Sequence, residues 1–379
     1  MDRTWSISAP VVFGLIVFLL SCHGAEAAQK AKAFPRAGSI SGGVLPVTFV
    51  DAAGRKVVLR NLPKRIVVVG RGPFMVLHLL YMFPEAGRRI VGFEERVKLS
   101  SFLSLIDPAF SGKIILNPNP GPEHIASLKP DVVIMKGSVR DQTGDSLERL
   151  GIGVVYIDME NPRQFFKDVD NLGLVLGNKR RAEEIKAYYQ GRLALIHARV
   201  SGIPEQKRPG MLMLMYTTRG NKAAVQVPAE SWMQTLQART AGARPVWVNT
   251  VSKASDGWTI VNFEQMALWN PDLICIIVPH SLKPAALIAS LKEDPQWRLL
   301  KAVKTGRMHA FPSDLFGWDS PEPRWILGMI WTARTAWPEL FRDIDMKGEV
   351  IRFFATLYNM ESSRIEKDIL SRCSFLAHE

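Results

Sequence analysis

From residue 66 onward, short unbroken apolar runs alternate with amphipathic stretches. Ile66-Val67-Val68-Val69-Gly70 is the first run. Residues 73–83 follow with Phe74, Leu77, Leu80 and Tyr81 at helical spacing, and Ile90-Val91-Gly92-Phe93 is the next run. Uninterrupted apolar runs suit strands covered on both faces, and strand–helix alternation predicts a doubly wound parallel sheet. The pattern also repeats. Residues 123–134 read EHIASLKPDVVI and residues 264–275 read EQMALWNPDLIC, 141 positions later. Each copy has a Glu at a helix start, a short apolar helix, a Pro-Asp break that no helix continues through, and an aliphatic strand. Two such units predict two similar α/β lobes with a cleft between them, where ligands commonly bind.

Around these units the remaining elements fall into place. Val47 to Leu59 reads as a hairpin turning at residues 51–54. Asp145 to Leu150 is a helix before the strand Val154-Val155-Tyr156-Ile157. Residues 162–177 predict one helix, and Lys179 to about Val200 a longer one with Ile185, Tyr188, Tyr189, Leu193 and Ile196 as its apolar stripe. That helix, set between the lobes, is expected to be a stiff strut. The second lobe opens on the strand Met211–Tyr216. It continues through a helix over 231–238, a short strand at Val246-Trp247-Val248, the second repeat copy and the strand 307–311. Helices follow over 324–336 and about 347–370. The expected fold class is α/β: two Rossmann-like lobes with parallel sheets joined by one long rigid helix. The expected organisation is a signal peptide at 1–27, a loose leader at 28–44, a first lobe at 45–177, the linking helix at 178–202 and a second lobe at 203–379.

Length and composition refine this picture. A chain of 379 residues exceeds one typical core and fits two domains, and 47% hydrophobic content is ordinary for a globular protein. Arg3 ahead of the apolar run Ile7–Leu20 reads as a targeting segment. Ala25-Glu26-Ala27 offers simple cleavage before Ala28. Leu19-Leu20-Ser21-Cys22 resembles a lipobox that would lipidate Cys22. The net charge of +12 becomes +13 once Asp2, Arg3 and Glu26 are removed. The basic residues are dispersed rather than packed in a run, so the excess points to a small anionic ligand, a membrane surface or solubility, and not to nucleic acid. Cys275 sits in an apolar strand and reads as a small core residue. Nothing in the spacing pairs it with Cys373 or builds a zinc site. Catalytic fingerprints of the G-x-S-x-G, phosphate-loop and dinucleotide types are missing.

Several of these phrases together carry a likeness. VTFVDAAGRKVVL followed by LPKRIVVVG, then LKPDVVI, NFEQMALWNPDLI and GRMHAFP occur in that order over roughly residues 47–345. They resemble the ABC-importer substrate-binding proteins for iron complexes and corrinoids. The resemblance implies a class III periplasmic binding protein: a rigid binder, expected to be monomeric, in the periplasm or at the outer membrane face. It holds a ligand in the cleft and delivers it to permease subunits. It also implies that Glu123 and Glu264, one per lobe, dock onto the permease. Read from the residues alone, both are carboxylates that favour a helix N-terminus. A Trp318-Asp319-Ser320-Pro321 loop is similar to that of binders of iron or molybdate type, which leaves the ligand open.

In open α/β sheets ligands sit beyond the carboxyl ends of the strands. That rule selects Arg71, Glu94, Ser138, Tyr216 and His280 as candidates, to which the aromatic loops add Trp258 and Trp318. Arg71 offers a guanidinium to a carboxylate or other oxyanion, or else pairs with Glu94 or Glu95. Trp258 and Trp318, in polar glycine-bearing loops, either line a ligand or pack their loops down. Tyr216 and His280 either contact ligand or end their strands. The leading expectation is capture of an anionic iron complex (siderophore-like, haem or corrinoid) without covalent chemistry and without a resident cofactor. Molybdate or tungstate is the alternative ligand. A free-metal binder lacks a His-rich loop, and a lyase or chelatase on this fold ranks below both.

Overall fold

An antiparallel hairpin, β1 (Val47–Val50) and β2 (Lys56–Leu59), precedes five strands that pair in parallel. These are β3 (Ile66–Val68), β4 (Ile90–Glu94), β5 (Ile114–Leu116), β6 (Val132–Lys136) and β7 (Val154–Ile157), in the order β5-β4-β3-β6-β7. Helices α1 (Pro73–Leu80), α2 (Ala86–Arg89), α3 (Phe102–Ile106), α4 (Pro122–Ser127) and α5 (Asp145–Arg149) connect them. The computed structural model describes residues 46–375 apart from 220–221, 249, 251–256 and 280. The expected signal segment, the leader to residue 44 and Cys22 lie outside the described residues.

The unbroken apolar runs are explained by which way alternate side chains point. Ile66, Val68, Val132, Ile134, Val155 and Ile157 enter one core. Val67, Val69, Val133, Met135, Val154 and Tyr156 enter another. Successive strand side chains face opposite ways, so a sheet buried on both sides needs an apolar residue at every position. Each is worth roughly 1.5–3 kcal/mol when fully buried.

After β7 come α6 (Pro162–Leu176) and the 22-residue α7 (Lys179–Val200), separated by Gly177 at φ 69°. Asn161 and Asn178 cap the two helices through their side-chain oxygens. Ile185, Tyr189 and Ile196 of α7 are buried, and the first of the two cores runs through them into the second lobe without interruption.

The second lobe comprises β8 (Gly210–Arg219), β9 (Lys222–Val227), α8 (Met233–Thr240), β10 (Arg244–Pro245), β11 (Thr259–Val261), α9 (Phe263–Trp269), β12 (Leu273–Ile277), α10 (Pro284–Glu293), α11 (Lys301–Lys304), β13 (Met308–Ala310) and α12 (Trp325–Ala336). Its sheet runs β11-β9-β8-β12-β13, with β10 beside the start of β8. Only β12 and β10 with β8, and β13 with β12, pair in parallel; β9 and β11 are antiparallel, so this sheet is mixed where a parallel one was expected. The strand expected at 246–248 is also displaced to Arg244–Pro245. Trp247 turns into the core instead, its indole donating to the Pro228 carbonyl at 2.9 Å.

The repeated phrase performs the same task twice. Lys129 and Asn270, at matching positions, take up left-handed backbone at φ 46° and 42° just before the proline. One carboxylate oxygen of Asp131 then accepts the N–H groups of Lys64 and Arg65 at 2.7 and 2.8 Å. Asp272 accepts the N–H of Gly210 at 2.7 Å. Each aspartate thereby fixes where its lobe's first strand begins.

The helical segment expected over about 347–370 is two helices, α13 (Met346–Tyr358) and α14 (Ser362–Asp368), separated at Asn359, φ 53°. They return to the first lobe. Arg181 donates to the Leu357 carbonyl at 2.8 Å, Tyr358 to the His78 carbonyl at 3.0 Å and Arg364 to the Leu105 carbonyl at 2.7 Å. Beneath them lies a buried ionic cluster. His78 Nδ1 sits 2.9 Å from Glu322, and Arg324 joins Glu322 and Asp314, each at 2.8 Å. The Arg324 guanidinium lies 4.4 Å above the Phe102 ring. All four ionisable side chains are fully buried. Removing one member of such a group costs about 3–5 kcal/mol because its partners stay buried and uncompensated. The lobes are thus tied both by α7 and by this C-terminal clasp.

Cys275 and Cys373 are both buried free thiols, and burial pushes the Cys275 thiol up to about 12. Among the described residues no helix is long and apolar enough to cross a membrane.

Candidate ligand-binding cleft

Strand order reverses between β3 and β6 in the first sheet, since the chain builds outward from β3 in both directions. The crevice beyond the carboxyl ends of those two strands is the binding position in open α/β sheets. Arg71 follows β3 and Ser138 follows β6, and both side chains are exposed. Arg71 has no hydrogen bond or ion pair among the described residues. Its loop is stiff. Gly70 at φ 96° and Gly72 at φ 66° occupy backbone that disfavours side chains, and a Cβ on Gly70 would stand 2.8 Å from Val139 Cγ2.

Glu94 holds this loop and is not itself open to a ligand. It is fully buried, accepts the Gly70 N–H at 2.9 Å and pairs with Arg96. Its expected contact with ligand is therefore corrected to a positioning role. Trp318 is corrected likewise. Its indole is fully buried, donates to Asp314 at 3.0 Å and packs against Phe375 at 5.5 Å. Asp314, only four residues back, draws the ring into the clasp.

In the second lobe the corresponding central strands are β8 and β12. Tyr216, half-buried, lies one residue past the point where β8 leaves β12, at the pairing of Met215 with Ile277. His280, just beyond β12, falls outside the described residues. Trp258 is half-buried and meets Trp232 edge-to-face, with centroids 5.7 Å apart. Glu123 and Glu264 are exposed in the first turns of α4 and α9. Those helices lead into the amino ends of β6 and β12, so their starts lie on the carboxyl side of the sheets, the side that carries Arg71 and Ser138.

Residues missed at the sequence level line a cavity of about 540 Å³ between the lobes: Asn161, Pro162, Arg163 and Gln164 from the first, Ser231 and Leu236 from the second. The first wall is rigidly built. Asp168 is fully buried; its carboxylate accepts the N–H groups of Asp158 and Met159 at 2.9 Å each and the Gln164 amide at 2.8 Å. Burial pushes Asp168 up to about 6 despite these donors. Met159 adopts φ 59°, unusual for a side-chain-bearing residue, so that consecutive N–H groups converge on that carboxylate. Burial also raises Asp158, whose carboxylate accepts the Gly137 N–H at 2.9 Å. Among the described residues no group of three or more His, Cys, Asp or Glu is placed to hold a metal ion.

Two α/β lobes tied by a long helix, with exposed polar groups at the switch point of the first sheet and a cavity between the lobes, have the class III periplasmic binding fold. A family model described as periplasmic binding protein matches residues 116–315, more than half of the chain, and the chain belongs to that family. It is similar to YvrC of Bacillus subtilis, described as an uncharacterized ABC transporter substrate-binding lipoprotein, at 21% identity over 310 residues, or 79% of this chain and 88% of that one. It is also similar to the molybdate-binding protein MolA of Haemophilus influenzae, at 23% identity over 258 residues, or 62% of this chain and 69% of that one. The molybdate-bound MolA structure matches at TM-score 0.64, with 19% identity, 83% of this chain and 98% of that one. Helicobacter pylori CeuE in a nickel–histidine complex matches at TM-score 0.67, with 18% identity, 86% of this chain and 99% of that one. The protein is a substrate-binding protein of ABC transporters.

Proposed function

We propose that this protein captures an anionic iron complex, a siderophore-like chelate, haem or corrinoid, in the interlobe cleft. It delivers that complex, outside the cytoplasmic membrane, to an ABC permease, and it does no covalent chemistry. The observation that carries the reading is Arg71. A guanidinium with no partner among the described residues stands at the switch point of the first sheet, on a loop that turns at Gly70 and Gly72 and is held by the buried Glu94. A preorganised fork of donors suits a carboxylate, catecholate or phosphate. The interlobe cavity of about 540 Å³, lined by Asn161, Arg163, Gln164 and Ser231, is in the size range of small-molecule sites. In this reading Ser138 and Tyr216 supply hydroxyls, and Trp258, edge-to-face with Trp232, supplies an apolar surface. Glu123 and Glu264, on the same side of the molecule, are the contacts proposed for the permease.

Molybdate or tungstate is the second reading, favoured by the likeness to MolA. Calorimetric titration of the wild type and Arg71→Ala with ferric chelates and with molybdate separates the two. Loss of Arg71 should weaken the bound complex by about 1.5–3 kcal/mol, the range for a charged hydrogen bond. Tight molybdate binding with no response to any chelate would replace the first reading by the second.

A further inference from the structure

A second cavity lies at the opposite end of the second lobe's sheet. Its volume is about 420 Å³, within the range of small-molecule sites. Three of its lining residues directly precede strands that pair in parallel: Pro209 before β8, Asp272 before β12 and Arg307 before β13. The cavity therefore sits at the amino ends of that sheet, away from the carboxyl ends that carry the transport cleft. Its charge is one-sided. Lys207, Arg208, Lys301 and Arg307 line it against a single acid, Asp272. That acid is already engaged: one oxygen meets Lys301 at 2.6 Å and the other accepts the Gly210 N–H at 2.7 Å. Lys207, Arg208 and Arg307 have no ion pair among the described residues. Two of them are anchored by chain carbonyls instead. Arg307 Nη2 donates to Thr335 and Ala336 at the end of α12, at 3.0 Å each, and Arg208 Nε donates to Ile203 at 3.2 Å. A guanidinium carries five donors, so each keeps several for a further partner. Both arginines are half-buried, where salt screens charge less than on open surface.

The internal repeat offers a comparison. In the first lobe the residue before the first parallel strand is Arg65, whose guanidinium donates to the Leu128 and Lys129 carbonyls and closes the end of α4. The same position in the second lobe is Gly210, since the Asp131 N–H bonds to the Arg65 carbonyl and the Asp272 N–H to the Gly210 carbonyl. There the cations come from three separate segments, the turn after α7, the start of α11 and the start of β13, and converge on open space. Like charges so gathered repel one another, and an anion seated among them removes that cost.

We propose that this cavity is an anion-binding site, separate from the transport cleft, for a phosphate-bearing ligand. Arg208 and Arg307 offer forked donors that match phosphate oxygens, and Lys207 adds a point charge. The phosphate group belongs either to a free phosphorylated solute or to an anionic lipid headgroup, and the same donors serve both. The site lies on the side away from Glu123 and Glu264, so filling it leaves the cleft open. It stands whether the transported ligand is a chelate or molybdate.

The test uses the full mature chain, the double variant Lys207→Gln with Arg208→Gln, and a charge-matched control, Lys179→Gln with Arg180→Gln. The control removes two exposed cations from the far end of α7, roughly 30 Å along the helix. Each protein is titrated calorimetrically with pyrophosphate and sedimented with vesicles of phosphatidylcholine, alone or mixed with phosphatidylglycerol. Wild type and control should bind pyrophosphate, or sediment with the anionic vesicles and not the neutral ones. The double variant should lose at least about tenfold in affinity in whichever arm is positive, the scale of a charged hydrogen bond. Pyrophosphate binding assigns a soluble ligand, and vesicle binding alone assigns a lipid headgroup. Lys207→Glu alters an exposed side chain with no partner to lose, so it should keep the wild-type melting temperature and still lose the binding. Binding in neither arm overturns the proposal, as does binding that Lys207→Glu and the double variant leave unchanged. Equal loss in the double variant and the control would reduce the effect to overall charge and overturn it too.

Discussion

Histidine 78 offers a sharp test of the clasp between the lobes. The residue is fully buried, bonded to Glu322 at 2.9 Å on one ring nitrogen and to Ser100 at 2.9 Å on the other. Burial, aided by the Arg324 charge, outweighs the carboxylate of Glu322 and lowers its pKa from 6.5 to about 4. In the unfolded chain the imidazole takes a proton near 6.5; in the folded protein it does so only near 4. The unfolded state therefore binds more protons throughout that window, and stability is lost as the pH falls through it. At about 1.4 kcal/mol per pH unit the loss amounts to about 3 kcal/mol. His78→Gln keeps donor and acceptor atoms on the side chain but does not titrate. Its deficit relative to the wild type should thus shrink by about 3 kcal/mol between pH 7 and pH 4. Urea unfolding of both proteins at matched pH measures this difference directly. Asp168 and Asp319, both raised to about 6 by burial, act with the opposite sign, favouring the fold as the pH falls from about 6 toward 3.8. Present in both proteins, they cancel from the comparison. A deficit that stays constant from pH 7 to pH 4 would refute a neutral, desolvated His78 at the lobe junction.

Other expectations concern the cleft and its outer face. Gly70→Ala should cost about 1–3 kcal/mol in urea unfolding, since the residue needs φ 96° and its new methyl would press on Val139. It should also weaken ligand binding by displacing Arg71. Trp318→Phe should lower stability by about 1 kcal/mol, since Asp314 loses the indole donor but keeps Arg324, while leaving any ligand-induced quench of tryptophan fluorescence intact. Trp258→Phe should diminish that quench at little cost in stability. Glu123→Arg combined with Glu264→Arg should abolish uptake in cells with calorimetric affinity unchanged; a fall in affinity would move both glutamates into the binding site.

The strand-end positions were legible because strand ends are written locally. Glycine or a turn closes β3 and β6, so Arg71 and Ser138 could be placed at the crevice from their neighbours alone. Glu94 stands at the carboxyl end of β4 and was expected to do the same work. Its direction is decided by the Gly70 amide, 24 residues away, which draws the carboxylate inward. Trp318 shows the same limit. A tryptophan between Gly317 and Asp319 reads as a loop residue, and its packing against Phe375 near the end of the chain is not a local property.

What the sequence by itself determined is the covalently local part: two α/β lobes, a repeated helix–turn–strand unit, a long connecting helix and an excess of positive charge. These follow from periodicity, from proline and glycine punctuation and from composition, each acting over a few residues. The tertiary structure alone decided which strand-end groups face the cleft, which are consumed in holding its walls, and how the C-terminal helices return to lock the first lobe. Those outcomes depend on burial and on partners far apart in the chain. A charge or an indole has the same local signature whether it meets solvent, a ligand or a buried carboxylate, and only the packed fold distinguishes them.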